Sequence, residues 1–129
     1  MRALLFSACL LSTMPLLAQD FACPASPQAA GAGWHAFPAG YADSPTRERA
    51  ERIELYDGDP RQGATSIPDD HSGQIGVAPV AWTLAGQPLF MVCTYAGIEQ
   101  RMLRSLPAGL THCQANNEFE DMRLLLECR

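Results

Sequence analysis

Asp69, Asp70 and His71 stand side by side and form the one cluster of metal-ligating side-chain types in the 129-residue chain. Zinc takes ligands that are separated along the chain and converge from a scaffold. Three consecutive residues behind Pro68 seldom converge on one ion, so the group reads as a solvated turn and no metal is expected. Asp57 and Asp59 flank Gly58 in a DGDP sequence. A calcium loop needs further oxygen ligands at set positions and a late bidentate Glu. That pattern does not follow, and the two carboxylates are expected to hydrogen-bond a local turn. Glu118, Glu120 and Asp121 are the nearest thing to a glycosidase acid pair, but that chemistry holds two carboxyls across a cleft at a defined distance, which a polar hairpin turn does not.

The histidines are His35, His71 and His112. A hydrolase triad would set one of them against a nucleophile and an acid, yet Ser66, Ser72 and Ser105 lie in no G-x-S-x-G elbow. His112 precedes Cys113, and a thiolate–imidazole pair is the one nucleophilic arrangement the residues offer. It requires Cys113 to be a free thiol. No Gly-rich phosphate loop is present, so no cofactor is expected. Trp34, Trp82, Tyr41, Tyr56 and Tyr95 have the rings for carbohydrate stacking. Trp82 and Tyr95 fall in strands with core-like alternation and read as packing residues, whereas Tyr41 and Tyr56 border charged loops where a partner can dock.

The state of the cysteines follows from the compartment. Arg2 precedes an apolar run, residues 3–17, which ends at the small residue Ala18 before polar Gln19 and Asp20. This is the layout of a secretory signal peptide, expected to be cleaved after Ala18, with Ala22 as the second choice. The run is shorter than the ~20 residues of a membrane span, and Asp20 and Phe21 before Cys23 do not suit a lipid-attachment site. Residues 1–18 are therefore read as the leader and 19–129 as a single β domain, exported to the periplasm and not embedded in the membrane. Cys9 leaves with the leader. Cys23, Cys93, Cys113 and Cys128 remain, an even set in an oxidising space, which suits two disulfides in one of three connectivities. The full chain carries a formal charge of −5, and its cations are all arginines. Such a chain is a poor match for nucleic acid or an anionic membrane and is better suited to a basic protein partner.

The elements that must position these residues are short and β-like. Gln19–Ala32 is an Ala/Pro/Gly-rich lead-in, followed by the apolar piece Trp34–Phe37 and a loop. Ser44-Pro45 has the form of a helix start, but Ala50–Tyr56 alternates as a strand, with Ile53 and Leu55 on one face and Arg52, Glu54 and Tyr56 on the other. Ala64–Ile67 is a candidate short strand. Val77–Leu84 carries Val80, Trp82 and Leu84 on one side, and AGQP reads as a hairpin loop into Leu89–Tyr95, apolar enough for a central strand. Gln100–Leu106, Leu110–Ala115 and Met122–Cys128 complete the series. Turn signals every 8–12 residues point to an all-β fold, a small antiparallel barrel or sandwich of about seven short strands with two disulfides. A hairpin between the last two strands, centred near Glu120-Asp121, sets Cys113 opposite Cys128 and leaves Cys23 for Cys93. The other two connectivities stay open at this level.

Several motifs occur together: Cys23-Pro24, LYDGDP at Leu55–Pro60, IPDD at Ile67–Asp70, AWTL, FMVCTYAG at Phe90–Gly97, SLPAGLTHC at Ser105–Cys113 and a terminal ECR. Their order resembles a family of small exported Gram-negative envelope proteins related in fold to the membrane-bound inhibitors of c-type lysozyme. The resemblance implies a non-catalytic periplasmic module that binds another protein, with lysozyme as the implied partner. Such inhibitors insert a Ser and a Lys into the sugar-binding cleft. This chain has no Lys, and the resemblance transfers the contact to the Tyr95–Leu106 hairpin, with Arg101 or Arg104 as the cation and Thr94 or Ser105 as the hydroxyl. The alternatives are a structural or stress-related envelope protein with no defined small ligand, and a hydrolase using His112.

Overall fold

A computed structural model describes residues 17–37, 50–73, 79–116 and 124–129. Most of the apolar leader, Tyr41, the Ser44-Pro45 helix start and the acids Glu118, Glu120 and Asp121 lie outside the described residues. The strands are β1 (Gln19–Ala22), β2 (His35–Phe37), β3 (Ala50–Tyr56), β4 (Val80–Thr83), β5 (Phe90–Tyr95), β6 (Arg101–Ser105), β7 (His112–Asn116) and β8 (Leu125–Cys128). They form two antiparallel four-stranded sheets, ordered β1-β8-β7-β4 and β2-β6-β5-β3. The fold is all-β, as expected, with eight strands in place of about seven. The strands not expected are β1, inside what reads as an extended lead-in, and β2, within the apolar piece Trp34–Phe37, while Ala64–Ile67 forms none. The partner of β1 is β8, far along the chain, with Gln19 opposite Cys128 and Phe21 opposite Leu126, so nothing local announces it.

Alternation supplies the core. Ile53 and Leu55 of β3, Met91, Cys93 and Tyr95 of β5 and Met102 of β6 face inward from one sheet. Phe21, Trp82, Cys113, Ala115, Leu126 and Cys128 meet them from the other. β5 is buried at four of its six positions and lies between β3 and β6, as its apolar sequence requires.

The connection over AGQP differs from the expected hairpin. β4 and β5 belong to different sheets, β4 pairing with β7 and β5 with β6. The segments 85–88 and 107–109 run side by side, with Gly109 N–H donating to the Gly86 carbonyl at 3.3 Å. On either side of this corner Leu84 N–H bonds the Thr111 carbonyl and Leu106 N–H the Leu89 carbonyl. One two-stranded ribbon is thus folded over from sheet to sheet. Gly86 (φ 78°) and Gly109 (φ 88°) occupy the left-handed conformations of the bend. On one flank of the sandwich the loop after β3 links the sheets. Ser66 bridges Tyr56, Ile67 N–H bonds the Leu55 carbonyl, and Asp70 N–H reaches the Ala81 carbonyl. The Ala64–Ile67 segment is therefore a single bridge, not a strand.

Two disulfides staple the sandwich, one within a sheet and one between the sheets. Cys113 is bonded to Cys128, which it faces in register across β7 and β8. Cys23, just after β1, is bonded to Cys93 in the middle of the opposite sheet. The sequence separations are 15 and 70 residues. In the chain-entropy account these loops correspond to about 3 and about 4 kcal/mol of restriction on the unfolded state. The paired substitution Cys23→Ala/Cys93→Ala is expected to lower the urea midpoint more than Cys113→Ala/Cys128→Ala. Equilibrium unfolding of both variants beside the oxidised parent measures the difference, and equal losses contradict the assignment of the inter-sheet bridge as the principal staple.

Candidate functional site

The residues that sequence reasoning proposes as contacts do not share one place. Along β6, positions 101, 103 and 105 point to the outer side of the sheet and 102 and 104 to the inner side, because side chains alternate along a strand. Arg101 and Thr94 lie close together on the outer side and line the same groove. Ser105 shares their face but lies at the far end of β6, opposite Phe90. Arg104 is on the core-facing side, in register with Met91. Its guanidinium sits 5.4 Å from the Phe21 ring and 5.6 Å from the Trp34 ring, and its Nε is buried without a hydrogen-bond partner. Arg104 thus lies between β1 at the edge of one sheet and Trp34, which precedes β2 at the edge of the other.

The outer face of the β2-β6-β5-β3 sheet carries a connected polar–aromatic network. Register places Arg52 beside Thr94, Glu54 beside Val92 and Tyr56 beside Phe90. Glu54 accepts from Arg52 Nη2 on one carboxylate oxygen and from Tyr56 Oη at 3.2 Å on the other. Arg101 Nη1 donates to Tyr56 Oη at 3.4 Å, while the guanidinium carbon stands 4.3 Å from the Phe37 ring centroid. Arg101 therefore bridges from a β2 aromatic toward a β3 phenol, over the part of the sheet that holds Val92 and Leu103. Both of these are fully buried although they face outward. Thr94 Oγ1 donates to the Arg52 carbonyl at 3.3 Å, which fixes its rotamer. Beside this network a groove of about 720 Å³ opens between Arg52, Thr94, Val80, Ile98, Glu99 and Arg101.

The remaining candidates have structural roles. Asp69 accepts from His71 N–H, and Asp70 accepts from the Thr83 backbone N–H and Oγ1, both at 3.2 Å, so this cluster ties its loop to β4. Asp59 caps the 3-10 turn Pro60–Gln62 by accepting from Arg61 N–H, and hydrogen bonds from Arg61 hold its carboxyl below the usual range. No group of three or more His, Cys, Asp or Glu suited to a metal occurs among the described residues. Cys113 is already bonded to Cys128, so it is not the thiolate a His112 mechanism needs. His112 instead pairs its backbone with Arg129. Trp82 is buried and donates Nε1–H to the Ile67 carbonyl at 3.1 Å. Phe37 and the Arg52–Glu54–Tyr56 face are contacts of Arg101 that the hairpin motif does not reveal. The period-2 pattern of β3 puts Arg52, Glu54 and Tyr56 on one side, but only sheet order brings that side to Arg101.

The molecule is thus a disulfide-stapled β-sandwich that presents an Arg/Tyr/Phe face, and among the described residues no helix is long and apolar enough to cross a membrane. Residues 45–129, which include β3 through β8, match the family model of the Type VI secretion system Tli immunity protein, and the chain belongs to this family. An immunity family carries a protein-binding role, in keeping with the non-catalytic reading of the sequence. No curated protein and no solved structure matches the chain.

Two tyrosines make the site's surroundings sensitive to alkali. Burial pushes the Tyr95 phenol well above its ordinary range, and its hydroxyl donates to the Pro24 carbonyl at 2.8 Å. Tyr56 is raised by burial first and by the Glu54 carboxylate next, with Arg101 opposing. A phenol whose folded pKa lies above its unfolded value contributes stability that is complete below about pH 10 and is lost as pH rises through the folded value. Unfolding midpoints are expected to fall between pH 9 and pH 11.5, and Tyr95→Phe is expected to flatten that fall while lowering the midpoint at pH 8. Thermal unfolding across this range, with phenolate absorbance recorded alongside, measures both. A parallel decline in parent and variant contradicts the assignment to Tyr95.

Proposed function

We propose that this chain is an exported, periplasmic immunity protein that neutralises a toxin of the Type VI secretion system by binding it. The observation that carries this reading is the family match over residues 45–129. Two features of the molecule support its location. All four cysteines of the exported part are joined in disulfides, which persist in oxidising compartments. β1 begins at Gln19, directly after the proposed cleavage at Ala18, and contributes the buried Phe21. Cleavage after Ala22 would remove this strand, so the leader is taken as residues 1–18 and the single β domain as 19–129.

The proposed contact surface is the outer face around Arg101 and Thr94. Tyrosine and arginine are the residue types over-represented in binding hot spots, and here the sheet already orders them. The partner is proposed to be a toxin and not lysozyme, because the family matched is one of immunity proteins. The acidic balance of the chain favours a toxin surface with net positive charge, through faster encounter at low salt.

The test is protection. The cognate effector is directed to the periplasm of a susceptible host carrying the full-length chain, a chain beginning at Gln19 without leader, or neither. The full-length chain is expected to restore growth and the leaderless chain to fail. With purified components, neutralisation is expected to titrate to a fixed stoichiometry, and lysis by c-type lysozyme is expected to be unaffected. Killing in the presence of the full-length chain overturns the immunity reading. Equal rescue by the leaderless chain overturns the compartment, and neutralisation at a small molar fraction of the toxin overturns the non-catalytic mechanism.

A further inference from the structure

The Arg101 groove has a chemistry of its own. Arg101 has five N–H donors in a planar fork. The structure gives it one long hydrogen bond to Tyr56 and a stacking contact with Phe37. Arg101 is in neither of the two described ion pairs, Arg52–Glu54 and Arg61–Asp59, and the acids that share its groove are Glu51 and Glu99. Arg101 is half-buried, which makes its charge costly to leave unmatched once a partner excludes water. The stack on Phe37 limits the fork's orientations before anything binds, and a pre-organised guanidinium recognises a carboxylate in bidentate fashion. Val80 and Ile98 add apolar surface to the same groove, and Thr94 has its hydroxyl proton committed to the Arg52 carbonyl, leaving oxygen lone pairs. Exposed Glu51 and Glu99 on the rim disfavour a free inorganic anion and favour a carboxylate that arrives with basic neighbours.

We infer that this groove is a carboxylate-recognition site that receives an Asp or Glu side chain from a loop of the toxin, paired with the Arg101 fork and flanked by a toxin Lys or Arg facing Glu51. This rests on the immunity reading above and adds to it the side-chain chemistry of the partner and the residue that reads it. A basic toxin surface sets encounter, and a single acidic residue within that surface sets the fit.

The experiment measures binding of the purified cognate Type VI effector to the oxidised protein and to Arg101→Gln, Arg101→Lys and, as a distant control, Arg61→Gln. Arg101→Gln retains a polar side chain over Val92 and Leu103 while removing the charge, and its unfolding midpoint is recorded to verify the fold. Truncating one partner of a buried charge pair weakens binding by about 30-fold or more. Arg101→Gln is expected to reach that loss, Arg101→Lys to lose less, and Arg61→Gln to stay within about twofold. An Asp/Glu→Ala scan of the effector is expected to find one carboxylate whose removal costs a similar factor and adds no further loss in the Arg101→Gln background, the non-additivity expected of a direct pair. Parent-like affinity of a folded Arg101→Gln, or additive losses with every effector carboxylate, overturns this inference and leaves the immunity reading intact. Failure of the parent protein to bind the effector overturns both.

Discussion

Cys93 occupies the middle of one sheet and is bonded across the core to Cys23 at the end of the first strand of the other. This bond constrains the placement of β1, an edge strand of only four residues. Such a strand has one hydrogen-bonded neighbour, β8, and little apolar surface of its own beyond Phe21. Short edge strands are marginal. The bridge keeps β1 within reach of β8, and the Tyr95 hydroxyl on the Pro24 carbonyl fixes the segment that follows it. Arg104 completes the arrangement from the opposite sheet, with its guanidinium near both Phe21 and Trp34.

The same sheet has a second, outward role. Val92 and Leu103 face away from the core yet have no exposed surface. The aliphatic stem of Arg101, passing between Phe37 and Tyr56, helps explain how apolar residues on an outer face stay dry while the face itself remains polar. An ammonium on a flexible stem would solvate its head and stack less well, so the use of arginine alone among the cations of this chain has a physical sense at this position.

Much of this architecture was legible in the sequence because it is local. The alternation of Ile53 and Leu55 against Arg52, Glu54 and Tyr56, and the unbroken apolar run of β5, are properties of single strands. What was not legible depends on which strands meet. AGQP has the composition of a hairpin turn, and nothing within it distinguishes a turn between paired strands from a corner between sheets. The pairing of residues 84 with 111 and 89 with 106 makes it a corner. β1 lacked any signal because its partner, β8, lies far along the chain. The candidate site divides in the same way. Arg101 and Arg104 are three residues apart, and that odd spacing already puts them on opposite faces of any strand. Their common hairpin motif obscured this. Phe37 and Tyr56 reach Arg101 only through the order β2-β6-β5-β3, which no local pattern encodes.

That order also determines what the site can do. An arginine at the start of an inner strand, held between a β2 ring and a β3 phenol, has lost much of the rotamer freedom that a surface arginine gives up on binding. Glu54 is occupied by Arg52 and Tyr56, so this carboxylate reaches Arg101 only through the Tyr56 hydroxyl. Had Glu54 paired with Arg101 directly, the face would present a closed salt bridge with little to offer a partner. Inserting Tyr56 between them separates the acid from the base and keeps the cation in place without quenching it. On the proposed reading, the specificity of such a face would reside in one oriented charge, which the sheet order holds between Phe37 and Tyr56.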